Sequence, residues 1–192
     1  MSIATQSGDD GSTTLAGGRS RLSKAALRVE TYGNIDELGA ALGLARSLCA
    51  DALLAARTES IQRELFRVGA ALSTPPEAPA PPTPHVSPHM VEALTAQVHE
   101  LESLPGMLSD WSVPGAHPAA AAFDLARTVC RRAERSIVAL RDSGSPVSAD
   151  VLAYVNRLSD LLWLYSRKLE KDAGVDSRLR KNGDGPNFSK AW

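Results

Sequence analysis

Residues 126–135 read ARTVCRRAER, which places four arginines and one glutamate in a segment with helical apolar spacing. At about 100° per residue, Arg127 and Glu134 fall at the edge of the apolar stripe, Arg131 lies further round, and the other two arginines lie further still. A solvated helix face is the ordinary explanation, because Arg is a good helix former and Glu134 can pair with its neighbours. A guanidinium beside an apolar seam nevertheless needs a carboxylate or phosphate partner, since a desolvated charge without one is costly.

The composition favours one soluble domain with balanced charge. The chain has 192 residues and 43% hydrophobic content, which suits a single core. Its 21 Lys and Arg nearly cancel its 22 Asp and Glu, so a nucleic-acid-binding surface is not expected. Cys49 and Cys130 are too sparse for a disulfide framework and indicate a reducing compartment. Without a signal-peptide pattern or a run of about 20 apolar residues, the sequence predicts a cytoplasmic protein that does not bind membranes.

Apolar residues recur at helical spacing in five segments, and no segment shows convincing strand alternation. The third segment, HMVEALTAQVHELESL, follows Ser87 as a cap residue and Pro88 in the first turn. Five helices with one apolar face each predict an all-α fold, a five-helix bundle. The stripes of the other four helices are Ile35, Leu38, Leu42 and Ala45; Ile61, Leu65, Val68 and Leu72; Phe123, Ala126, Cys130, Ala133 and Ile137; and Leu152, Val155, Leu158, Leu162 and Leu169.

Proline interrupts the pattern between the second and third helices. The stretch PPEAPAPPTPHVSP has seven prolines in fourteen residues, and a helix cannot cross it. We therefore predict a single domain over residues 1–192, with an N-terminal loop at 1–24, a Pro-rich surface loop at 74–88 and a C-terminal tail at 170–192.

Two further motifs carry polar groups. The stretch TQSGDDGSTT, Thr5 to Thr14, has glycines, hydroxyls and free backbone N–H groups that can surround a phosphate chain, although a disordered terminus often has this composition. It is not a Walker P-loop. In YVNRLSDLLW, Asn156 and Asp160 lie four residues apart on a face that we expect to be buried. An interhelical hydrogen bond or salt bridge is the common reason for such residues in a bundle.

The order of the motifs carries more information than any one of them. TQSGDDGSTTL, GG followed by RLSK, RVETYGNIDEL, IQRELFRVGAAL, SVPGA, ARTVCRRAER and YVNRLSDLLW occur in an order that resembles the PduO-type ATP:corrinoid adenosyltransferases. The resemblance extends from about Thr5 to Arg167. It implies a cobalamin adenosyltransferase-like five-helix bundle, assembled as a homotrimer with active sites between subunits. The implied reaction is attack of cob(I)alamin on the 5′-carbon of ATP, which gives adenosylcobalamin and triphosphate.

The resemblance also implies a role for individual residues. The protein would supply no metal ligand of its own, and Mg²⁺ would bind through the phosphates of ATP. Asp36, Arg127, Arg131 and Trp111 are the catalytic candidates. The cobalamin-binding candidates are Trp111, Asp36 and Arg127: Asp36 and Arg127 would pair across the subunit boundary, and Trp111 would lie under the corrin and displace its lower axial ligand. The ATP-binding candidates are Thr5, Gln6, Ser7, Gly8, Thr13, Thr14, Lys24, Arg131, Arg132, Glu134, Arg135 and Asn156.

Three departures from the family pattern lie on or near the corrinoid side. Gly39 replaces the asparagine of DELN, Ala116 replaces the second glycine of PGG, and Asp124 replaces the histidine that precedes ART. The residues expected to bind ATP match the family pattern. The three departures therefore affect the expected use of a corrinoid and not the expected binding of ATP. A homologue that binds ATP or adenosylcobalamin as a non-catalytic delivery or regulatory module is the alternative, followed by a helical scaffold without a ligand. The expected partners are cob(I)alamin or cob(II)alamin, a flavin-type reductase and an adenosylcobalamin-dependent enzyme.

Overall fold

The computed structural model describes residues 3–15, 21–75, 77–79 and 85–180. Within these residues, none of the helices has a stretch both long and apolar enough to cross a membrane. The predicted all-α architecture with five helices is confirmed. The helices are α1 (Leu27–Leu48), α2 (Ala52–Ser73), α3 (Pro88–Glu102), α4 (Pro118–Asp142) and α5 (Ala149–Asp172).

A short hairpin precedes the bundle, and the sequence interpretation, which found no convincing strand, missed it. Strand β1 (Ser12–Thr14) pairs antiparallel with β2 (Arg21–Ser23), with Thr13 opposite Leu22. Three-residue strands are too short to show the apolar alternation by which a strand is recognised. Backbone pairing therefore orders residues 12–14 and 21–23 of the N-terminal loop.

The helices begin where local capping chemistry favours them. The Ser148 side chain accepts from the backbone N–H of Asp150 at the start of α5, and the Asp51 carboxylate accepts from two backbone N–H groups at the start of α2. Pro88 opens α3 as predicted, because its missing N–H is not needed in the first turn. Ser87 occupies the N-cap position, as predicted, but its side chain makes no capping hydrogen bond to this helix end.

The core lies between the five helices. Helix α4 packs between α1 and α5, while α2 packs on α1 and α3 packs on α5. The predicted apolar stripes are buried, apart from the half-buried Leu152. Two buried tyrosines of α5 extend this packing through their hydroxyls: Tyr154 donates to Glu64 Oε2 on α2 at 2.7 Å, and Tyr165 donates to Gln97 Oε1 on α3 at 2.7 Å. Helix α5 is thereby joined to both outer helices.

The predicted loop and tail boundaries need two corrections. Helix α3 begins at Pro88, so the Pro-rich loop ends at residue 87. Helix α5 continues through Asp172, so the tail begins at residue 173 and not at 170. Residues 173–180 fold back onto the segment before α4, while 181–192 lie outside the described residues. In the Pro-rich loop, Pro75 and Val86 are buried at its two ends, and residues 76 and 80–84 are outside the described part.

Candidate functional site

One groove runs along the contact between the antiparallel helices α4 and α5. At one end Ser166 Oγ donates to Ala120 O at 3.0 Å, and at the other Asn156 Nδ2 donates to Glu134 Oε1 at 2.9 Å. Side chains three or four residues apart on a helix share a face, so successive turns of both helices contribute to the same groove. Among the described residues, two cavities open along it: Arg127, Arg131 and Asp160 line one, and Glu134 and Asn156 line the other.

The first cavity, which we name the Trp111 cavity, has a volume of about 490 Å³. It lies between α4, α5, the last turns of α3 and the segment that joins α3 to α4. Trp111 lies on its wall with 41% of its surface exposed, so the indole is available to a ligand. Apolar groups from Leu108 and the buried Trp163 line it as well. Its charged lining residues are Glu102, Asp124, Arg127, Arg131, Arg157, Asp160 and Arg167.

A buried ion cluster forms one side of the Trp111 cavity. Arg167 Nη2 donates to Asp124 Oδ2 at 2.7 Å and to Glu170 Oε1 at 3.0 Å. Its Nε also lies 2.7 Å from Glu170 Oε2, in an ion pair that lacks hydrogen-bond geometry. The guanidinium of Arg167 sits 5.3 Å from the ring centre of Trp163, within cation–π range. Asp124, one of the three residues that depart from the family pattern, thus takes part in a buried charge network.

Arg127 extends this cluster toward the cavity. Its Nε lies 3.4 Å from Asp124 Oδ1, and its side chain is one-quarter exposed. Asp36, the partner that the resemblance implies, lies exposed on α1. Among the described residues, the carboxylate that contacts Arg127 is therefore Asp124.

Asp160 also lines the Trp111 cavity. Partial burial against the cavity wall, together with repulsion from Glu134 and Glu102, raises the pKa of this carboxyl, although Arg157 and Arg131 oppose the shift. Arg157 Nη1 lies 3.1 Å from Asp160 Oδ2. The expectation that Asn156 and Asp160 are buried is wrong, since both side chains are exposed. The groove between α4 and α5 opens at this face, so the residues line a cavity and not a core.

The second cavity, the Asn156 cavity, has a volume of about 470 Å³ and lies one to two helical turns away. Asn156 and Glu134 close it on the side of the first cavity, and their hydrogen bond is the one that joins α4 to α5 there. Its further lining residues were not among the site candidates, because helical periodicity assigned Ile137 and Leu152 to the core. These further residues are Ile137, Arg141, Val147, Ser148, Ala149, Leu152 and Ala153.

The N-terminal loop is folded on itself. Lys24 Nζ donates to Gly8 O at 2.8 Å, and Arg21 binds the Asp10 carboxylate at 3.0 Å and donates to Ser12 Oγ at 2.6 Å. Gly8 lies so close to Lys24 that an added Cβ would be 3.0 Å from Nζ. Arg21 was not a predicted site residue, although it begins the RLSK motif that supplied Lys24. The two strands pack chiefly against each other, which leaves Thr5, Gln6, Ser7 and Thr14 exposed.

The remaining α4 candidates point in different directions. Arg131 lines the Trp111 cavity and Glu134 the Asn156 cavity, whereas Arg132 is ion-paired with Glu37 on α1. Arg135 is exposed. A single chain thus brings together Trp111, Arg127 and Arg131 in one cavity, while the loop candidates lie on the hairpin strands or in the residues next to them.

The chain resembles known corrinoid-related proteins over nearly its whole length. The family described as cobalamin adenosyltransferase matches residues 3–169. The corrinoid adenosyltransferase PduO of Salmonella typhimurium is 38% identical over 181 residues, which are 94% of this chain and 53% of that protein. A corrinoid adenosyltransferase of Mycobacterium tuberculosis is 38% identical over 177 residues, 90% of this chain and 91% of that protein. The chain thus spans about half the length of the Salmonella relative.

Solved structures resemble it as well. A variant PduO-type ATP:corrinoid adenosyltransferase from Lactobacillus reuteri, complexed with cobalamin and ATP, superposes with a TM-score of 0.83 at 30% identity, covering 94% of this chain and 97% of that one. A second variant of the same enzyme, complexed with ATP, gives 0.85 at 30% identity and covers 94% and 100% of the two chains.

We expect the Asp124–Arg167 pair to be strongly coupled in the free energy of unfolding. Removal of either partner leaves the other buried charge without its main ion-pair partner. Asp124→Ala and Arg167→Ala should therefore each lower the free energy of unfolding by about 3 kcal/mol. The double variant should lose less than the sum, with a coupling energy of about 1–3 kcal/mol by urea denaturation.

The exposed pair Arg157–Asp160 on α5 is the matched control. Its side chains are 36% and 47% exposed, so solvent screens the attraction. The same cycle there should give a coupling of at most about 0.5 kcal/mol. Equal coupling in the two pairs would show that burial of the Asp124 cluster has no energetic consequence.

Proposed function

The chain belongs to the cobalamin adenosyltransferase family, and from that premise we propose that it transfers the 5′-deoxyadenosyl group of ATP to cob(I)alamin. In this reaction the cobalt(I) electron pair forms the cobalt–carbon bond at C5′, the C5′–oxygen bond breaks, and its electrons leave on triphosphate. The cobalt is the nucleophile and belongs to the substrate, so the protein needs no general base. Its tasks are to hold ATP in line, to stabilise the leaving triphosphate and to make the cobalt reducible.

The observation that carries the proposal is the position of the two cavities in one α4–α5 groove. The Asn156 cavity offers amide and carboxylate groups beside an apolar surface, a combination that suits a nucleoside. The Trp111 cavity offers an exposed indole and several guanidinium groups, a combination that suits a large, flat ring with polar substituents. Arg131 lies near the junction of the two cavities, where the charge of the leaving group would develop.

The basic residues near the groove and on the N-terminal loop would stabilise the negative charge of the triphosphate. Arg131 and Arg135 are exposed on α4 and can donate paired N–H groups to phosphate oxygens. Lys24 would exchange its bond to Gly8 O for a phosphate, and the hydroxyls of the N-terminal loop would bind beside it. Mg²⁺ would accompany the phosphates, held mainly by their oxygens. Arg132 would need to leave Glu37 before it could contribute.

We also propose that the active site forms between copies of the chain, in a homotrimer. The hairpin strands pack mainly on each other, so the loop is available to a neighbouring molecule. Large apolar side chains on the bundle surface would be covered by assembly, and Asp36 would then reach Arg127 of a neighbour. These exposed side chains are Leu44 at 50%, Leu53 at 54%, Phe66 at 79% and Leu125 at 54%.

We place the reaction in the cytoplasm, where the free Cys49 and Cys130 would remain reduced. A flavin-type reductase would supply the electron that converts cob(II)alamin to cob(I)alamin. An adenosylcobalamin-dependent enzyme would receive the product.

The direct test is an anaerobic assay with ATP and chemically reduced cobalamin, followed by the loss of cob(I)alamin absorbance. Asn156→Ala and Arg131→Ala should each lower kcat/KM for ATP about tenfold or more. Arg131→Ala removes a hydrogen-bond donor to the charged phosphates, and Asn156→Ala removes a hydrogen-bonding group from the adjacent cavity. Both residues are exposed, so the variants should fold normally.

Arg63→Ala is the control, since Arg63 pairs with Glu59 on α2 outside both cavities. Unchanged kinetics in both site variants would remove the ATP assignment. Binding of ATP and cobalamin without turnover in the wild type would favour the non-catalytic delivery or regulatory module instead.

The oligomeric state is a separate prediction. Light scattering at micromolar concentration should give the mass of three chains, and Phe66→Glu should weaken assembly because it places a charge on a covered apolar surface. A monomeric wild type would contradict the shared active site.

Trp111 should control reduction of the corrinoid more than adenosyl transfer. If the indole covers the lower face of the corrin, Trp111→Ala should leave ATP affinity nearly unchanged and readmit the axial base, so that bound cob(II)alamin becomes five-coordinate. A potential lower by about 59 mV corresponds to about 1.4 kcal/mol for one electron, so the loss of rate should be largest with a weak reductant.

Electron paramagnetic resonance of cob(II)alamin with protein and ATP measures this effect. Cob(I)alamin supplied ready-made should restore much of the rate of Trp111→Ala. The same axial nitrogen coupling in wild type and variant would mean that Trp111 only packs.

A further inference from the structure

The segment after α5 returns to the loop that carries Trp111. We name residues 173–180 the strap. Gly174 has a φ of 65°, a conformation that favours glycine, and the chain reverses there. Val113 N then donates to Ser177 O at 2.8 Å, and Leu179 N donates to Trp111 O at 2.8 Å. The strap thus binds the backbone at Trp111 itself and two residues beyond it.

A charged clamp adds to these backbone bonds. Arg180 Nε lies 2.9 Å from Asp110 Oδ1 and 3.1 Å from Oδ2, and its backbone N–H donates to Oδ2 at 3.0 Å. The Asp110 side chain is only 6% exposed. Its Oδ1 also accepts from Trp111 N at 2.8 Å. The guanidinium of Arg180 and the backbone N–H of Trp111 therefore share one carboxylate.

The strap has a second attachment on α5. Ser177 Oγ donates to Glu170 Oε2, and Ser177 also hydrogen-bonds Ser112 Oγ at 2.9 Å. Glu170 is the residue that binds Arg167 in the buried ion cluster. The strap consequently connects the Trp111 loop to the charge network that lines the same cavity.

We propose that Arg180 is a positioning residue for Trp111: it holds Asp110 and, through it, the backbone that presents the indole to the corrinoid. This inference rests on the proposed function. The segment from residue 103 to 117 is a connection outside any helix, and Gly106 and Gly115 within it have φ values of 83° and 121°. Such a segment needs external contacts to keep one conformation. The strap provides them on both sides of Trp111.

The hydrogen bond from Arg180 holds the pKa of the Asp110 carboxyl at about 2, well below its usual value. Asp110 is therefore charged throughout the pH range of any activity assay. The Asp110–Arg180 ion pair is therefore present under those conditions. A change of pH will not break it, so the test requires substitution of one of the two residues.

The first experiment reports on Trp111 without a corrinoid. The chain has three tryptophans, so Trp163→Phe and Trp192→Phe leave Trp111 as the only one. In that background, Arg180→Ala should increase acrylamide quenching and lower the fluorescence anisotropy of Trp111. Arg180→Lys should give an intermediate shift, because it keeps the charge but not the forked geometry.

Arg178→Ala is the matched control, because Arg178 lies in the same strap and its side chain pairs with Asp176 of the strap. It should leave quenching and anisotropy unchanged. The proposal is overturned if Arg180→Ala and Arg178→Ala give the same values. Asp110→Asn removes the charge but keeps the side-chain shape, and it replaces Arg180→Ala as the test if that variant does not fold.

The second experiment separates positioning from general stability. With cob(II)alamin and ATP, Arg180→Ala should increase the five-coordinate signal in the electron paramagnetic resonance spectrum. With a weak reductant kcat should fall between about tenfold and a hundredfold, while KM for ATP stays unchanged. A Trp111 that becomes mobile without a change in spectrum or kcat would overturn the positioning role. If the wild type binds no corrinoid, the proposed function fails, whereas the fluorescence test still decides whether Arg180 holds Trp111.

Discussion

The buried pairing of Asp124 with Arg167 is the interaction on which the geometry of the Trp111 cavity depends. It joins α4 to α5 across 43 residues of sequence, at 2.7 Å, between side chains that are 3% and 8% exposed. A buried charge of this kind requires a fixed partner, because its desolvation is costly. Arg127 and Glu170 complete the balance of charge around the pair. The orientation of Arg127, the floor of the cavity and one attachment of the strap all follow from this cluster.

The same two helices also account for the sequence of chemical groups along the groove. Arg127, Arg131 and Glu134 succeed one another at helical spacing on α4, and Asn156 and Asp160 do so in the opposite direction on α5. Antiparallel packing therefore orders them in space from a region rich in guanidinium groups to one that suits a nucleoside. In the proposed reaction the leaving triphosphate lies between those regions. A rigid pair of helices is a suitable scaffold for such alignment, since small displacements of reacting atoms are costly.

The three positions that depart from the family pattern differ in their contacts. Asp124, where the family pattern has histidine, takes part in a network that extends through Arg167 and Glu170 to Ser177. The chain has therefore not simply lost a polar residue at this position. Gly39 supplies a backbone carbonyl to Gln62, at 2.9 Å, and Ala116 is exposed before α4. Of the three departures, Asp124 is the one with direct contacts to a cavity residue.

The sequence by itself determined the five helices, the start of α3 at Pro88 and the stripes that form the core. These features follow from apolar periodicity and capping, which act over a few residues. Tertiary structure decided the rest. Periodicity placed Asn156 and Asp160 near a seam, but whether that face is covered depends on neighbouring helices, and here a cavity opens. The partners Asp124 for Arg127, Glu37 for Arg132 and Asp110 for Arg180 are equally a matter of packing. The last pair is separated by 70 residues, and only the return of the chain after α5 brings its charges together.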